Sequence, residues 1–225
     1  MAMLLYDAVQ VIGEYQIGTI KSGRWKEQCY LIRHLASDSL LLIDPGGKEK
    51  RIIDAVEKEG GNLLLILLTH GHYDHVGALK PICDHFGLPF YIHSADFKLL
   101  RQAPLYGISY EKRNIIIPRN HCFLDNEILE LAGNRINIIH TPGHTPGGVC
   151  FQLKGIVFTG DTLLYKMIVP VDLPGSNAKL LASSISRILH DLPKDILMFP
   201  GHGKPWLVSE AIDWWEENLN RSLSL

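Results

Sequence analysis

Short apolar runs bounded by turn residues alternate along this chain with stretches of helical periodicity. Val9-Gln10-Val11-Ile12, Cys29-Tyr30-Leu31-Ile32 and Leu40-Leu41-Leu42-Ile43 read as strands, and Asp44-Pro45-Gly46-Gly47 supplies the turn chemistry that ends the third. A helix is expected over 48–59, with Ile52, Ile53 and Val56 on its apolar side and Gly60-Gly61 as its stop. The unbroken run from Leu63 to Leu68 reads as a buried strand. Val76, Leu79, Ile82, Cys83 and Phe86 recur at helical spacing and Gly87 ends that helix; Pro81 fits only if it begins near Gly77. A short strand over 90–92 and a helix near 94–102 follow, and residues 103–127 carry so little pattern that an irregular segment is expected there. Strands resume at 128–131, 136–140, 148–153 and 156–159. Asn177 is placed to cap a helix with the stripe Leu180, Leu181, Ser184, Ile185, Ile188 and Leu189, ended by Pro193. A last strand at 196–199 and a helix over 209–221, with Ile212, Trp215 and Leu219 as core contacts, close the chain.

The two halves echo each other. Leu41-Leu42-Ile43-Asp44, a helix, then an apolar strand ending in Thr69-His70-Gly71-His72 describes the first. Val157-Phe158-Thr159-Gly160-Asp161, a helix, then a strand ending in Pro200-Gly201-His202-Gly203 describes the second. Two such units predict an α/β chain with a two-layer sheet core, helices outside, and a site where the strand ends of both halves meet. No linker-like segment divides residues 1–225, so one domain is expected.

Composition narrows the function classes. With 225 residues, 46% hydrophobic, the chain can bury a substantial core. A formal net charge of −2 argues against nucleic acid as a partner. Four widely spaced cysteines (Cys29, Cys83, Cys122, Cys150) form no CxxC pair and suit free thiols in a reducing compartment. The first residues show no signal-peptide pattern and no run reaches membrane-span length. A cytoplasmic protein acting on a small molecule, without a membrane partner, is the expectation.

The chemistry concentrates at Thr69-His70-Gly71-His72-Tyr73-Asp74-His75, with three histidines and a carboxylate in six positions from His70 to His75. Nitrogen and oxygen donors crowded at a strand end suit a borderline divalent ion such as zinc. His70 and His72 are two apart, cannot share a helical face, and belong in a loop. Three further segments have the form of an apolar strand ending in a glycine-rich turn that presents a donor: His140-Thr141-Pro142-Gly143-His144, Thr159-Gly160-Asp161-Thr162 and Pro200-Gly201-His202-Gly203. Glycine beside a ligand lets the backbone turn tightly and approach closely. Together the donors suffice for two metals sharing a carboxylate.

In this order and context the chain resembles the metallo-β-lactamase superfamily, and within it the glyoxalase II-like (hydroxyacylglutathione hydrolase-like) branch. The motifs carrying the resemblance are H-x-H-x-D-H at 70–75, His144 in Thr-Pro-Gly-His-Thr-Pro-Gly, Asp161 in Thr-Gly-Asp-Thr-Leu, and His202 in Pro-Gly-His-Gly. The resemblance implies a four-layer αββα sandwich, two mixed sheets with outer helices. It implies that His70, His72 and His144 hold one divalent ion, that Asp74, His75 and His202 hold a second, and that Asp161 bridges them. Zinc is the first expectation, with manganese or iron as alternatives. A metal-bridging hydroxide would then cleave a small thioester or ester, with Asp74 and Asp161 as the catalytic acids. Asp44 is expected to support a ligand histidine from behind, and Tyr165 is a candidate to contact substrate.

The resemblance stops short of glutathione recognition. About ten residues after the bridging aspartate the branch carries a glutathione-contacting lysine and tyrosine, whereas this chain reads Lys166-Met167-Ile168-Val169-Pro170-Val171-Asp172. Only about twenty residues follow Pro205, enough for one helix in place of a helical C-terminal domain. Val171-Asp172-Leu173-Pro174-Gly175 resembles a remnant found in shorter hydrolases of this kind. A lactonase would use the same site. A persulfide dioxygenase would hold one iron through two histidines and an aspartate, and His202 counts against it. A non-catalytic metal-binding regulator is the alternative outside enzymes. His34, His85, His93, His121, His140 and His190 are assigned surface or core-edge roles. Tyr106, Tyr110 and Arg113 are assigned to the substrate mouth, and Lys166 to solvent.

Overall fold

The computed structural model describes residues 5–125, 128–170, 173 and 175–223. Two mixed sheets stack face to face and helices cover the outer face of each. The first sheet runs in sequence order through β1 (Ala8–Ile12), β2 (Tyr15–Ser22), β3 (Glu27–His34), β4 (Ser39–Ile43), β5 (Asn62–Leu67), β6 (Phe90–Ile92) and β7 (His121–Phe123). It is antiparallel from β1 to β4 and parallel from β4 to β7. Helices α1 (Glu49–Glu59), α2 (Tyr73–Val76), α3 (Leu79–Phe86) and α4 (Phe97–Glu111) fall within this half of the chain. The second sheet contains β8 (Leu129–Leu131), β9 (Asn134–His140), β10 (Val149–Leu153), β11 (Ile156–Gly160), β12 (Leu197–Pro200) and β13 (Trp206–Leu207), in the order β13-β12-β11-β10-β9-β8. Helices α5 (Ala178–Asp191) and α6 (Val208–Leu223) pack on it. Among the described residues no helix is long and apolar enough to cross a membrane.

Period-two alternation explains the layers. Cys29 and Leu31 of β3 face the helices, while Tyr30 and Ile32 face the other sheet; Leu40 and Leu42 of β4 divide from Leu41 and Ile43 in the same way. The stretches 29–32 and 40–43, buried on both faces, are therefore apolar at every position. Between the sheets Tyr30, Phe158 and Phe199 form a triangle of rings with centroids 5.1–5.5 Å apart, and each such pair adds about 0.5–1.5 kcal/mol beyond its buried area. The Tyr30 hydroxyl donates to the Pro200 carbonyl at 2.6 Å and the Gln28 amide N–H donates to the Gly201 carbonyl at 2.9 Å. These bonds tie β3, inside one sheet, to the ligand-bearing end of β12 in the other.

Several expectations are revised. Leu64 is 38% exposed because it is the extra residue of a bulge: Leu40 pairs with Leu63 and Leu41 with Leu65, so Leu64 has no partner on β4. The helix expected near 94–102 continues to Glu111 through Pro104, since Leu99, Leu100, Ala103 and Gly107 are buried beneath it and outweigh the lost backbone bond. The segment expected to be irregular therefore supplies half a helix and also β7. Strands β2 and β13 were not anticipated; the first is interrupted by a glycine and the second is two residues long. The helix expected to begin near Gly77 is α3, with Pro81 in its first turn and Gly87 at its end, while Val76 belongs to the separate short α2. Asn177 caps α5 by accepting from the Leu180 N–H, but Leu180 itself is exposed and leaves the buried stripe. The Leu219 side chain, and Val171, Asp172 and Pro174 of the expected remnant, lie outside the described residues.

The internal echo is real in three dimensions. β4–α1–β5 and β11–α5–β12 are both parallel strand–helix–strand units, each ending one strand in an aspartate and the next in histidine-bearing turns. A bulge at Thr159 shifts the β11–β12 register just before Asp161, re-aiming the strand end where the donor is presented.

Candidate metal centre

The seven expected donors converge where the two sheets meet. His70 and His72 lie in the loop after β5, Asp74 and His75 on the short α2, His144 in the β9–β10 turn, Asp161 after β11 and His202 after β12. Within each of two groups, one ligand atom per residue lies within 4.8 Å of the others: His70, His72 and His144 in one, and Asp74, His75 and His202 in the other. His144 Nε2 is 2.9 Å from His72 Nδ1 and His75 Nε2 is 3.3 Å from His202 Nε2. Asp161 stands between the groups, 3.6 Å from His144 Nε2 through one oxygen, 3.6 Å from His75 Nε2 through the other, and 3.5 Å from His202 Nε2. This is the arrangement expected of a shared carboxylate.

The groups behind the donors fix which nitrogens face inward. Asp44 accepts from the Thr69 N–H at 2.7 Å and from the Thr69 hydroxyl at 2.6 Å. With its proton committed, Thr69 Oγ1 accepts from His70 Nδ1 at 3.0 Å, leaving His70 Nε2 as a bare lone pair. Asp44 also receives His75 Nδ1 at 3.0 Å, and the Trp25 carbonyl receives His202 Nδ1 at 2.9 Å. Asp44 thus contacts His75 directly and His70 through Thr69, from a left-handed backbone conformation, φ 51°, of the kind that concentrates at functional sites. A third cluster of donors, Asp44 with His70 and His75, is this hydrogen-bonded support seen from behind.

Two observations test whether the residues suit metal. His70 Nε2 and Asp161 Oδ1 are buried with no hydrogen-bond partner, a costly state unless something else is bound there. The donor electrostatics agree. Burial holds His70 well below the usual imidazole range, aided by His75 and His72, and burial with His144 takes His72 down to about 4, so both are neutral donors suited to a metal. Burial likewise lowers His144. Burial opposes charge on His75 and His202, yet Asp74 and Asp161 overcome it and raise them to about 9 and about 11. Burial opposes charge on Asp161 too, and His202 and His75 hold it well below the usual carboxylate range. The centre therefore concentrates carboxylate charge that protons or divalent cations can balance. Its donors fit a divalent ion in each group.

One residue was not anticipated. Asp96, fully buried just before α4, accepts from the Gly71 N–H at 2.8 Å and from the Gly147 N–H at 2.5 Å. Gly71 lies between His70 and His72, and Gly147 follows His144 by three, so one carboxylate holds two ligand loops from opposite sheets. Its local sequence, His93-Ser94-Ala95-Asp96, reads as an ordinary helix start; only the tertiary fold reveals the role. Close backbone approach matters as well: a Cβ on Gly201 would lie 2.1 Å from Asp161 Oδ1 and 2.8 Å from His75 Cε1.

A cavity of about 470 Å³ opens over the centre, with His72, Asp74, His144, Asp161 and His202 at its floor. Tyr106 and Tyr110 line it as expected. Arg113 does not: its guanidinium donates to the Gly46 carbonyl at 2.7 Å. Tyr165 is not part of the lining either; its ring packs edge-on against Trp206 with the Lys204 ammonium 4.3 Å above it. A role for Tyr165 on a substrate carbonyl has no support from this placement. Lys166 also lies over the Tyr165 ring. None of the six remaining histidines joins a donor group among the described residues.

Comparison with known proteins agrees with the geometry. The hydroxyacylglutathione hydrolase GloC of Haemophilus influenzae is 38% identical over 169 residues, covering 72% of this chain and 79% of that protein. Among solved structures, the BLEG-1 B3 metallo-β-lactamase superposes with a TM-score of 0.79 at 30% identity, covering 88% of this chain and 96% of its own. TTHA1623 in a di-iron-bound form gives a TM-score of 0.76 at 34% identity, with 85% and 94% covered. Residues 23–202, from the β2–β3 turn to the last histidine donor, match the sequence pattern of one family, and the chain belongs to the metallo-β-lactamase superfamily.

Proposed function

We propose that this member of a metallo-hydrolase superfamily is a metal-dependent hydrolase of a small thioester or ester, with a dinuclear centre and zinc as its first metal. The observation that carries the reading is Asp161 standing between two three-donor groups at the floor of a substrate-sized cavity. Divalent ions bound there would supply Lewis acidity, polarising a carbonyl oxygen and acidifying water toward neutral pH. The chain's own residues do the rest. Asp44 and Thr69 fix the rings of His70 and His75, and the Trp25 carbonyl fixes His202. Asp74, whose Oδ2 is 3.5 Å from His202 Nε2, shares the floor with Asp161, so either carboxylate can orient an attacking water or take its proton. The largely apolar walls limit bulk water around the scissile bond.

The relative described as a hydroxyacylglutathione hydrolase supports acyl hydrolysis, and the di-iron form of TTHA1623 supports iron as an alternative occupant. Lactone cleavage would use the same residues. A small-molecule substrate, with neither nucleic acid nor membrane as partner, suits the cavity and the net charge of −2. The free cysteines support a reducing, cytoplasmic setting. The test measures metal per chain and then runs thioesters, lactones and phosphodiesters on wild type beside Asp161→Ala. Close to two ions per chain and acyl hydrolysis that disappears in the variant are expected. Metal-loaded wild type that cleaves no member of the panel would overturn the reading.

A further inference from the structure

The walls of the cavity are chemically one-sided. Four aromatic rings from three separate segments form one wall: Trp25 in the β2–β3 turn, Tyr73 on α2, and Tyr106 and Tyr110 on α4. They are organised. Tyr73 and Tyr110 stack at 5.7 Å with 18° between planes, and Tyr110 and Tyr106 continue the ladder at 6.2 Å and 14°. The Trp25 indole N–H donates to the Tyr73 hydroxyl at 2.9 Å, which latches the turn to the ladder. Leu164, Met167 and Val169 from the segment after Asp161 supply an aliphatic wall. At the mouth Trp25, Tyr110 and Met167 remain about half exposed, at 52%, 51% and 49%.

Among the described lining residues, charged side chains lie at the floor. Among the described lining residues there is no lysine and no arginine, and the acids are Asp74 and Asp161 themselves. The nearby cations are turned onto rings: the Arg24 guanidinium lies 5.1 Å over Trp25, and the Lys166 and Lys204 ammonium groups lie over Tyr165, which is outside the lining. A ligand carboxylate held against these walls, away from the metal-binding floor, would lose water without gaining a charged lining partner, which is disfavoured. A flat apolar group would instead meet aromatic rings and a flexible thioether, contacts that rings and sulfur favour.

We infer that the substrate carries an uncharged, flat apolar group, such as an aryl or benzyl group, attached through the scissile ester or thioester and seated between the tyrosine ladder and the Met167 wall. The inference rests on the hydrolase reading for the word substrate, and on the cavity alone for the ligand class. Glutathione thioesters, which bring two carboxylates and an ammonium group, are poor ligands here.

The test uses the metal-loaded enzyme and two non-hydrolysable thioethers, benzyl methyl sulfide and S-methylglutathione, titrated by calorimetry, beside hydrolysis of S-benzyl thioacetate and S-lactoylglutathione. The benzyl compounds are expected to bind, and to react by kcat/KM, at least about tenfold better than the glutathione compounds. Tyr110→Ala should remove about tenfold of that preference, chiefly through KM, while Tyr110→Phe retains it because the ring remains. Trp25→Ala, which keeps the carbonyl that holds His202, serves as the second variant should Tyr110→Ala fold poorly. Glutathione compounds preferred by wild type, or a benzyl preference untouched by both alanine variants, would overturn the inference and leave the hydrolase reading standing. Tyr110-dependent benzyl binding without hydrolysis of any ester would support the ligand class and sink the hydrolase reading instead.

Discussion

Replacing Asp96 by alanine removes two charge-assisted hydrogen bonds from a fully buried position. The Gly71 and Gly147 amides then lose their carboxylate acceptor, and each buried donor left unsatisfied costs about 1–3 kcal/mol. The sum is on the order of 2–6 kcal/mol, a large share of the roughly 5–15 kcal/mol by which domains are stable. At about 2–4 °C per kcal/mol for a domain of this size, the melting temperature should fall by about 5–20 °C. The local effect is more diagnostic. His72 Nδ1 and His144 Nε2 are held 2.9 Å apart by loops that Asp96 joins, so the His70–His72–His144 group should lose about 10–100-fold in metal affinity. The Asp74–His75–His202 group does not hang on those two amides and should stay closer to wild type. Urea unfolding followed by circular dichroism gives the first quantity, and zinc titration against a competing chelator gives the second. Asp96→Asn keeps one acceptor oxygen and should recover about half of the stability loss. If Asp96→Ala unfolds within about 0.5 kcal/mol of wild type and binds its first metal unchanged, the clamp is not what positions the loops.

Gly201→Ala drives a methyl group into Asp161 Oδ1 and His75 Cε1; since atoms at that distance must move, activity should fall at least about tenfold with metal content below wild type, checked by elemental analysis and kinetics at saturating zinc. Tyr165→Phe should leave kcat/KM within about twofold, because its ring packs on Trp206 away from the cavity lining; a loss beyond tenfold would place its hydroxyl on the substrate after all.

How much of this was readable in advance depends on whether a feature is local. The donors were legible because each sits in its own short strand-to-turn segment, where glycine and the ligand are neighbours in sequence. The repeated strand–helix–strand unit was legible for the same reason. Asp96 was not, because its partners are amides 25 and 51 positions away and its own neighbourhood has no unusual composition. The exposure of Leu64 comes from a bulge set by pairing with β4, which the apolar run cannot reveal. Helix α4 runs past 102 because the face of Leu99, Leu100, Ala103 and Gly107 is buried by tertiary packing, which local pattern does not display. For Tyr165, four positions after Asp161, distance along the chain does not say which way the ring turns; it packs on Trp206.

The dense cluster at 70–75 has a consequence for how the protein reaches its native state. In sequence it offers four donors within six positions, but in the fold those donors are divided: His70 and His72 join His144, while Asp74 and His75 join His202. Neither native group can form until chain segments more than seventy or more than a hundred residues apart are brought together by docking of the two sheets. An unfolded chain meeting zinc has no such constraint and can wrap all four local donors around a single ion, a non-native chelate favoured by the small entropy of closing so short a loop. Metal added before refolding therefore competes with the fold, and metal added afterwards stabilises it by mass action.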